Sequence, residues 1–137
     1  MTLPRQYETE LPILPRDVDV NGHVHHTVYL DYLLAARFDQ MERCYGMSMQ
    51  EFWKHGLTWV ARHYDIEYRS GIRLGDRAVI RTWIHDVERM GVIVAFEIFS
   101  KETGKTAARG RARYILVDTR THRPRRIPED VLERYSG

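Results

Sequence analysis

The chain has 137 residues, 43% hydrophobic and 29% charged, a balance that fits one globular domain spanning residues 1–137 with a real core. No apolar run approaches the length of a membrane-spanning helix, and MTLPRQYETELPIL lacks a charged leader followed by an apolar stretch, so neither a membrane span nor a signal peptide is expected. Cys44 is the only cysteine, which excludes a disulfide framework and makes a reducing cytoplasm the expected setting.

The formal net charge is +2, and it is unevenly spread: Arg109 to Arg126 holds seven arginines and one acid, Asp118. Such a patch points to an anionic partner. It lacks the aromatic interleaving of a nucleic-acid platform, so no nucleic acid is expected.

In chain order, Tyr7 to Leu14 reads as a strand ending at Pro15. A polar stretch follows, and then a helix beginning near Thr27, a residue suited to the N-cap. Its apolar positions recur at Leu30, Leu33, Leu34, Phe38, Met41 and Cys44, with Val28, Tyr29 and Tyr32 widening the apolar face. Asp31, Arg37, Asp39 and Arg43 are left as a narrow polar edge, so the helix is expected to be largely enclosed. Gly46 ends it. Ser48 opens a short second helix that runs to His55 and stops at Gly56.

From Leu57 onward the pattern is β. Strands are predicted at Leu57–Tyr68, Arg77–His85, Val92–Ser100 and Thr106–Asp118, with turns at RLGD, near Arg89-Met90-Gly91 and at KETGK. IPEDVLERY reads as a short final helix. Consecutive strands joined mainly by tight turns predict an antiparallel sheet, and one apolar helix can bury itself only against a face of that sheet. The expected class is α+β, a sheet curled around one helix. In the last strand Ala108, Gly110 and Ala112 alternate with Arg109, Arg111 and Arg113, which puts small residues on one face and guanidiniums on the other. The run VIVAFEIF is apolar on both faces except at Glu97; a second copy of the chain or the C-terminal tail could cover it.

The chemistry concentrates in RDVDVNGHVHHTVYLDYL, Arg16 to Leu33. Asp17 and Asp19 lie too far before Thr27 for simple capping. Asn21-Gly22 is a turn dipeptide, so Asp19 is either a turn-stabilising residue or a catalytic carboxylate. Free N–H groups around His26 and Thr27 form a partial positive site able to polarise a carbonyl oxygen. The sequence lacks G-x-S-x-G, and Cys44 lies on the apolar helical face, which leaves no obvious nucleophilic serine or cysteine. HVHH lacks a further ligand at a recognised spacing, so His23, His25 and His26 are read as hydrogen-bonding or packing groups; no metal and no cofactor are expected.

The stretch D-V-D-V-N-G-H-V-H-H-T-V-Y-L-D-Y, Asp17 to Tyr32, resembles the loop and helix start of hotdog-fold thioesterases. It is similar to acyl-CoA thioesterases of the 4-hydroxybenzoyl-CoA thioesterase type and to plant acyl-acyl carrier protein thioesterases. I-E-Y-R-S-G-I-R-L-G-D, Ile66 to Asp76, matches the family's strand and turn. The resemblance implies a single hotdog domain, a curved antiparallel sheet of about five strands wrapped around one long central helix, assembled as a homodimer or a dimer-of-dimers tetramer. It implies that Asp19 is the catalytic carboxylate and that the His26 N–H polarises the thioester carbonyl, with the imidazole also at the site. Asn21 and His23 stand where the plant-type enzymes carry further groups. Gly71 stands where those enzymes have an acidic residue, which favours the single-aspartate mechanism and coenzyme A over acyl carrier protein.

The implied reaction is hydrolysis of an acyl thioester, with Asp19 as base or nucleophile. The acyl tail would lie near Tyr29, Trp59 and the Ala108–Ala112 strip, and Arg111, Arg113 or Arg123 to Arg126 would meet the coenzyme's phosphates. Two rival readings stand beside it. An acyl-CoA hydratase of the D-x-N-x-x-H type would need histidine five residues after Asp19, where this chain has Val24. A non-catalytic acyl-CoA-binding protein would use the same cleft with a dispensable aspartate.

Overall fold

A computed structural model describes residues 5–136. Residues 1–4, the start of the stretch read above as lacking a leader, and residue 137 lie outside it. The elements are β1 (Tyr7–Pro12), a 3-10 turn (Pro15–Asp17), α1 (Val28–Arg43), α2 (Met49–Lys54), β2 (Leu57–Tyr68), β3 (Arg77–Val87), β4 (Gly91–Ser100), β5 (Thr106–Asp118) and α3 (Glu129–Tyr135). Among the described residues no helix is long and apolar enough to cross a membrane.

The strands form one five-stranded antiparallel sheet in the order β1-β3-β4-β5-β2. This corrects the expectation of consecutive hairpins. β2 does not pair with β3; residues 69–76 carry the chain from the β2 edge across to β3, which lies between β1 and β4, and β2 pairs with β5 from Leu57↔Asp118 to Tyr68↔Ala108. Gly110 is the local reason that pairing can be so close. A Cβ there would sit 1.7 Å from the Asp65 carbonyl oxygen, so only glycine lets the two backbones approach. Register shifts at Ala61/His63, Ile84/Asp86 and Ile98/Phe99 add twist and help the sheet curve.

The class is α+β with a curved antiparallel sheet. The helical part is α1, about 24 Å long at sixteen residues, together with two short helices, rather than one long element. α1 lays Leu33, Ala36 and Met41 into a core shared with Phe96, Ile98, Ala108 and Ala112. The small residues of β5 face that core while Arg109, Arg111 and Arg113 are exposed on the other face, as the alternation predicts.

Arg37 departs from expectation. Read as part of a polar edge, it is only 5% exposed. Gln40, one turn further on, is also fully buried, but it donates to the Thr9 hydroxyl at 3.0 Å and accepts from Thr82. The outward residues of β4 are partly covered within the chain itself: Arg81 lies over Phe99 at 4.9 Å, and Glu97 accepts from Arg81 and from the Thr106 hydroxyl.

The short helices follow their local signals. Ser48 caps α2, its hydroxyl accepting the Glu51 N–H at 3.2 Å, and Gly56 (φ +73) turns the chain into β2. α3 buries Val131 and Tyr135, which brings the C-terminal segment against Tyr45 and Trp59.

Candidate active site

The polar stretch before α1 is anchored by its first aspartate. The Asp17 carboxylate, in a residue 8% exposed, accepts the Leu14 N–H and the Tyr32 hydroxyl, each at 2.9 Å. Its carbonyl oxygen accepts the His25 N–H at 2.8 Å. Burial, and then the carboxylate, push the Tyr32 phenol far above its ordinary range, so its hydroxyl remains a donor. Asp17 thus lashes the loop to the first turns of α1.

Asp19, two residues on, is in the opposite environment. Val18 and Val24 form an antiparallel bridge, and between them the chain makes a small turn: Asp19 N–H donates to His23 O at 2.9 Å and Gly22 N–H to Asp19 O at 3.0 Å. One Asp19 carboxylate oxygen accepts the Asn21 N–H at 2.9 Å, an Asx-type contact, and Gly22 takes φ +78. Asp19 is exposed, and among the described residues no cation pairs with it.

Residues 71–74 support this loop from below. Val24 N–H donates to Ile72 O at 2.8 Å and Leu74 N–H to Gly22 O at 3.2 Å. The His23 ring lies on Gly71, where an added Cβ would be 3.1 Å from its Cγ and Nδ1. A side chain at Gly71 would therefore push the imidazole aside.

At the helix entrance the expected Thr27 cap does not form. Thr27 is already helical (φ −71, ψ −21), and its hydroxyl meets His25 Nδ1 at 2.9 Å instead of a free N–H. The first turn closes through Val28 N–H to His25 O, at 2.9 Å. The His26 N–H has no acceptor among the described residues, while its carbonyl oxygen accepts the Tyr68 hydroxyl at 3.1 Å. The rings of His25 and His26 stack at 4.6 Å, and Tyr68 stands edge-on to His26 at 6.1 Å. Tyr29 is buried against Tyr32 and Tyr68, its phenol raised by burial.

The loop thus carries Asp19, Asn21, His23 and His26 in turn, with Tyr29 buried in the first turn of α1. Trp59 is elsewhere, packed between Phe52 and Tyr135. Arg111 and Arg113 are on the sheet face away from α1, and Arg113 is paired with Glu88 at 2.8 Å. Sequence reasoning missed Tyr68 and Tyr32, although Tyr68 stands inside the quoted Ile66 to Asp76 motif. It also missed a cavity of about 250 Å³ further along α1, lined in part by Leu34, Arg37, Trp59, Tyr64 and Tyr114. Cys44 is half-buried and its thiol is raised by burial, the opposite of an activated nucleophile.

Comparison with known proteins agrees with this architecture. Over 127 residues the chain is 23% identical to the long-chain acyl-CoA thioesterase FadM of Escherichia coli, covering 93% of this chain and 95% of that protein. The fold superposes on a DHNA-CoA thioesterase from Staphylococcus aureus with a TM-score of 0.88 at 24% identity, covering 96% of this chain and 89% of that one. It superposes on Slr0204, a 1,4-dihydroxy-2-naphthoyl-CoA thioesterase from Synechocystis, with a TM-score of 0.86 at 16% identity and 96% of each chain covered. The family model described as thioesterase-like superfamily matches residues 13–135, from the residue after β1 to the last residue of α3, and the chain belongs to that superfamily of hotdog proteins.

Proposed function

We propose that this protein is an acyl-CoA thioesterase, hydrolysing an acyl thioester to a carboxylic acid and a thiol, with Asp19 as its general base. The observation that carries this reading is the unpaired His26 N–H at the entrance of α1, on the same short loop as an exposed, cation-free carboxylate. An unpaired amide at a helix start costs little in water and is ready to receive a carbonyl oxygen. The thioester oxygen docks there. Asp19 takes a proton from water as the water oxygen bonds to the carbonyl carbon, the tetrahedral oxyanion is held by the His26 N–H, and collapse expels the thiolate, which recovers the proton. Asn21 fixes the Asp19 carboxylate through its N–H, and His23, seated on Gly71, fixes the loop.

The single 1–137 domain and its assembly belong to the same proposal. β2 is an edge strand of twelve residues whose outer side has no strand partner among the described residues. Such an edge is a template for pairing, and a second copy seated along it would make the homodimer from which a tetramer could be built. Because Arg111 and Arg113 lie across the sheet from His26, we leave them out of the acyl site.

The test is thiol release from a panel of acyl-CoA substrates by the wild type and Asp19→Asn. The wild type is expected to turn over at least one chain class, with Asp19→Asn slower by about 10²–10³. Loss of the conjugated absorbance of a 2-enoyl-CoA with the thioester intact would identify the hydratase instead. Tight binding without turnover would identify the binding protein.

A further inference from the structure

Four buried side-chain atoms lack a hydrogen-bond partner among the described residues: Arg37 Nη1, Trp59 Nε1, Tyr114 OH and Tyr135 OH. They belong to one neighbourhood. Arg37, Trp59 and Tyr114 line the same cavity of about 250 Å³. The Arg37 guanidinium lies 5.5 Å from the Tyr45 ring, Tyr45 lies 4.7 Å from Tyr135, and Tyr135 lies 5.9 Å from Trp59. All four atoms can donate. Burial raises the Tyr114 and Tyr135 phenols, so both keep their protons. Among the described residues no carboxylate pairs with Arg37. A guanidinium 5% exposed, always charged and lacking a counter-ion is costly to bury. Trp59 Nε1 and Tyr114 OH, also without partners and lining the same cavity, make it complementary to an anion, in particular to a planar carboxylate.

The cavity lies further along α1 than His26. Tyr68 of β2 meets His26 just before α1, and Tyr64 and Trp59 of the same strand line the cavity with Leu34 and Arg37 of α1. Eleven residues separate His26 from Arg37, three turns on nearly the same helical face and about 16 Å along the axis. From Tyr68 to Tyr64 the strand advances about 13 Å. Leu34, between the two ends, is 47% exposed and forms an apolar lip. The line from His26 to Arg37 therefore runs from an unpaired amide, past Leu34, to a buried cation.

We infer that the acyl group cleaved here carries a carboxylate at its far end, received by Arg37, so that the substrate class is the CoA monothioester of an α,ω-dicarboxylic acid. This inference rests on the thioesterase reading of the His26 end. With about 3 Å taken up by the hydrogen bond at each end, about 1.2 Å per bond of an extended chain fits roughly seven to ten carbons into the span of about 13–16 Å. Tyr114 and Trp59, which line the same cavity, supply the remaining donors to the two carboxylate oxygens.

The test compares the CoA monothioesters of octanedioic and decanedioic acid with octanoyl- and decanoyl-CoA. The wild type is expected to prefer the carboxylate-ended series by tenfold or more in kcat/KM, and Arg37→Met is expected to bring that ratio to one or below. A wild-type ratio of one or less overturns the inference, and so does an Arg37→Met ratio equal to the wild type's. A second measurement stands apart from catalysis: free octanedioate should raise the wild-type melting temperature by a few degrees where octanoate does not. If no thioester of either series is hydrolysed, the thioesterase reading fails, and the thermal shift alone then decides the carboxylate site. Absence of a shift overturns it, including the case where a second copy of the chain already fills the site.

Discussion

The entrance of α1 at His26 and its buried stretch at Arg37 both contain polar groups without partners, and they differ in what that costs. At the His26 end the unpaired N–H and the Asp19 carboxylate are exposed, so water satisfies them. At the Arg37 end the unpaired donors are sealed among Tyr45, Trp59, Tyr114 and Tyr135, where a missing partner costs about 1–3 kcal/mol for a neutral group and more for a charge. An exposed unsatisfied group is unremarkable by itself and gains meaning from chemistry. A buried cluster of donors gains meaning from its energy alone.

Substitutions can break this contrast, and the largest stability effect falls on the anchor between loop and helix. Asp17→Ala leaves the buried Tyr32 hydroxyl and the Leu14 N–H without their acceptor, and a loss of roughly 2–3 kcal/mol in denaturant unfolding is expected. A loss under half a kcal/mol would show that the loop holds itself. Tyr68→Phe removes the hydrogen bond to the His26 carbonyl at a partly exposed position; about 1 kcal/mol of stability and a kcat decrease under tenfold are expected from thermal melts and steady-state rates. Arg37→Met should be the smallest in stability, within about 1 kcal/mol of the wild type or above it, because it removes an uncompensated buried charge and keeps an apolar side chain of similar length. A loss of several kcal/mol would mean that the guanidinium is held by partners within the fold.

The elements were legible because periodicity and turn residues agree with the tertiary structure in most segments. Leu30 to Cys44 at helical spacing, Ser48 before α2, and the alternation of Ala108, Gly110 and Ala112 with arginines each lead to the observed element. The sheet order was not legible, since it depends on a crossing by residues 69–76 and on the backbone contact at Gly110, neither of which has a pattern in one dimension. Thr27 has the right chemistry for a cap, but the chain enters the helical region a residue early and its hydroxyl turns to His25. The candidate loop stands out by its composition. The separation of Asp17 from Asp19 into an anchor and an exposed carboxylate needed the Tyr32 contact, which spans 15 residues. Arg37 carried a signal that charge alone concealed: it is four residues after Leu33 and four before Met41, on the apolar stripe rather than at its edge.

The central claim is that a carboxylate at Asp19 performs the chemistry on a carbonyl held by the His26 N–H. The most direct measurement is single-turnover thiol release on the best acyl-CoA substrate by the wild type and by Asp19→Asn, with thermal melts of both. The account predicts rates about 10²–10³ lower in Asp19→Asn with an unchanged melting temperature; wild-type rates in a folded Asp19→Asn protein would contradict it.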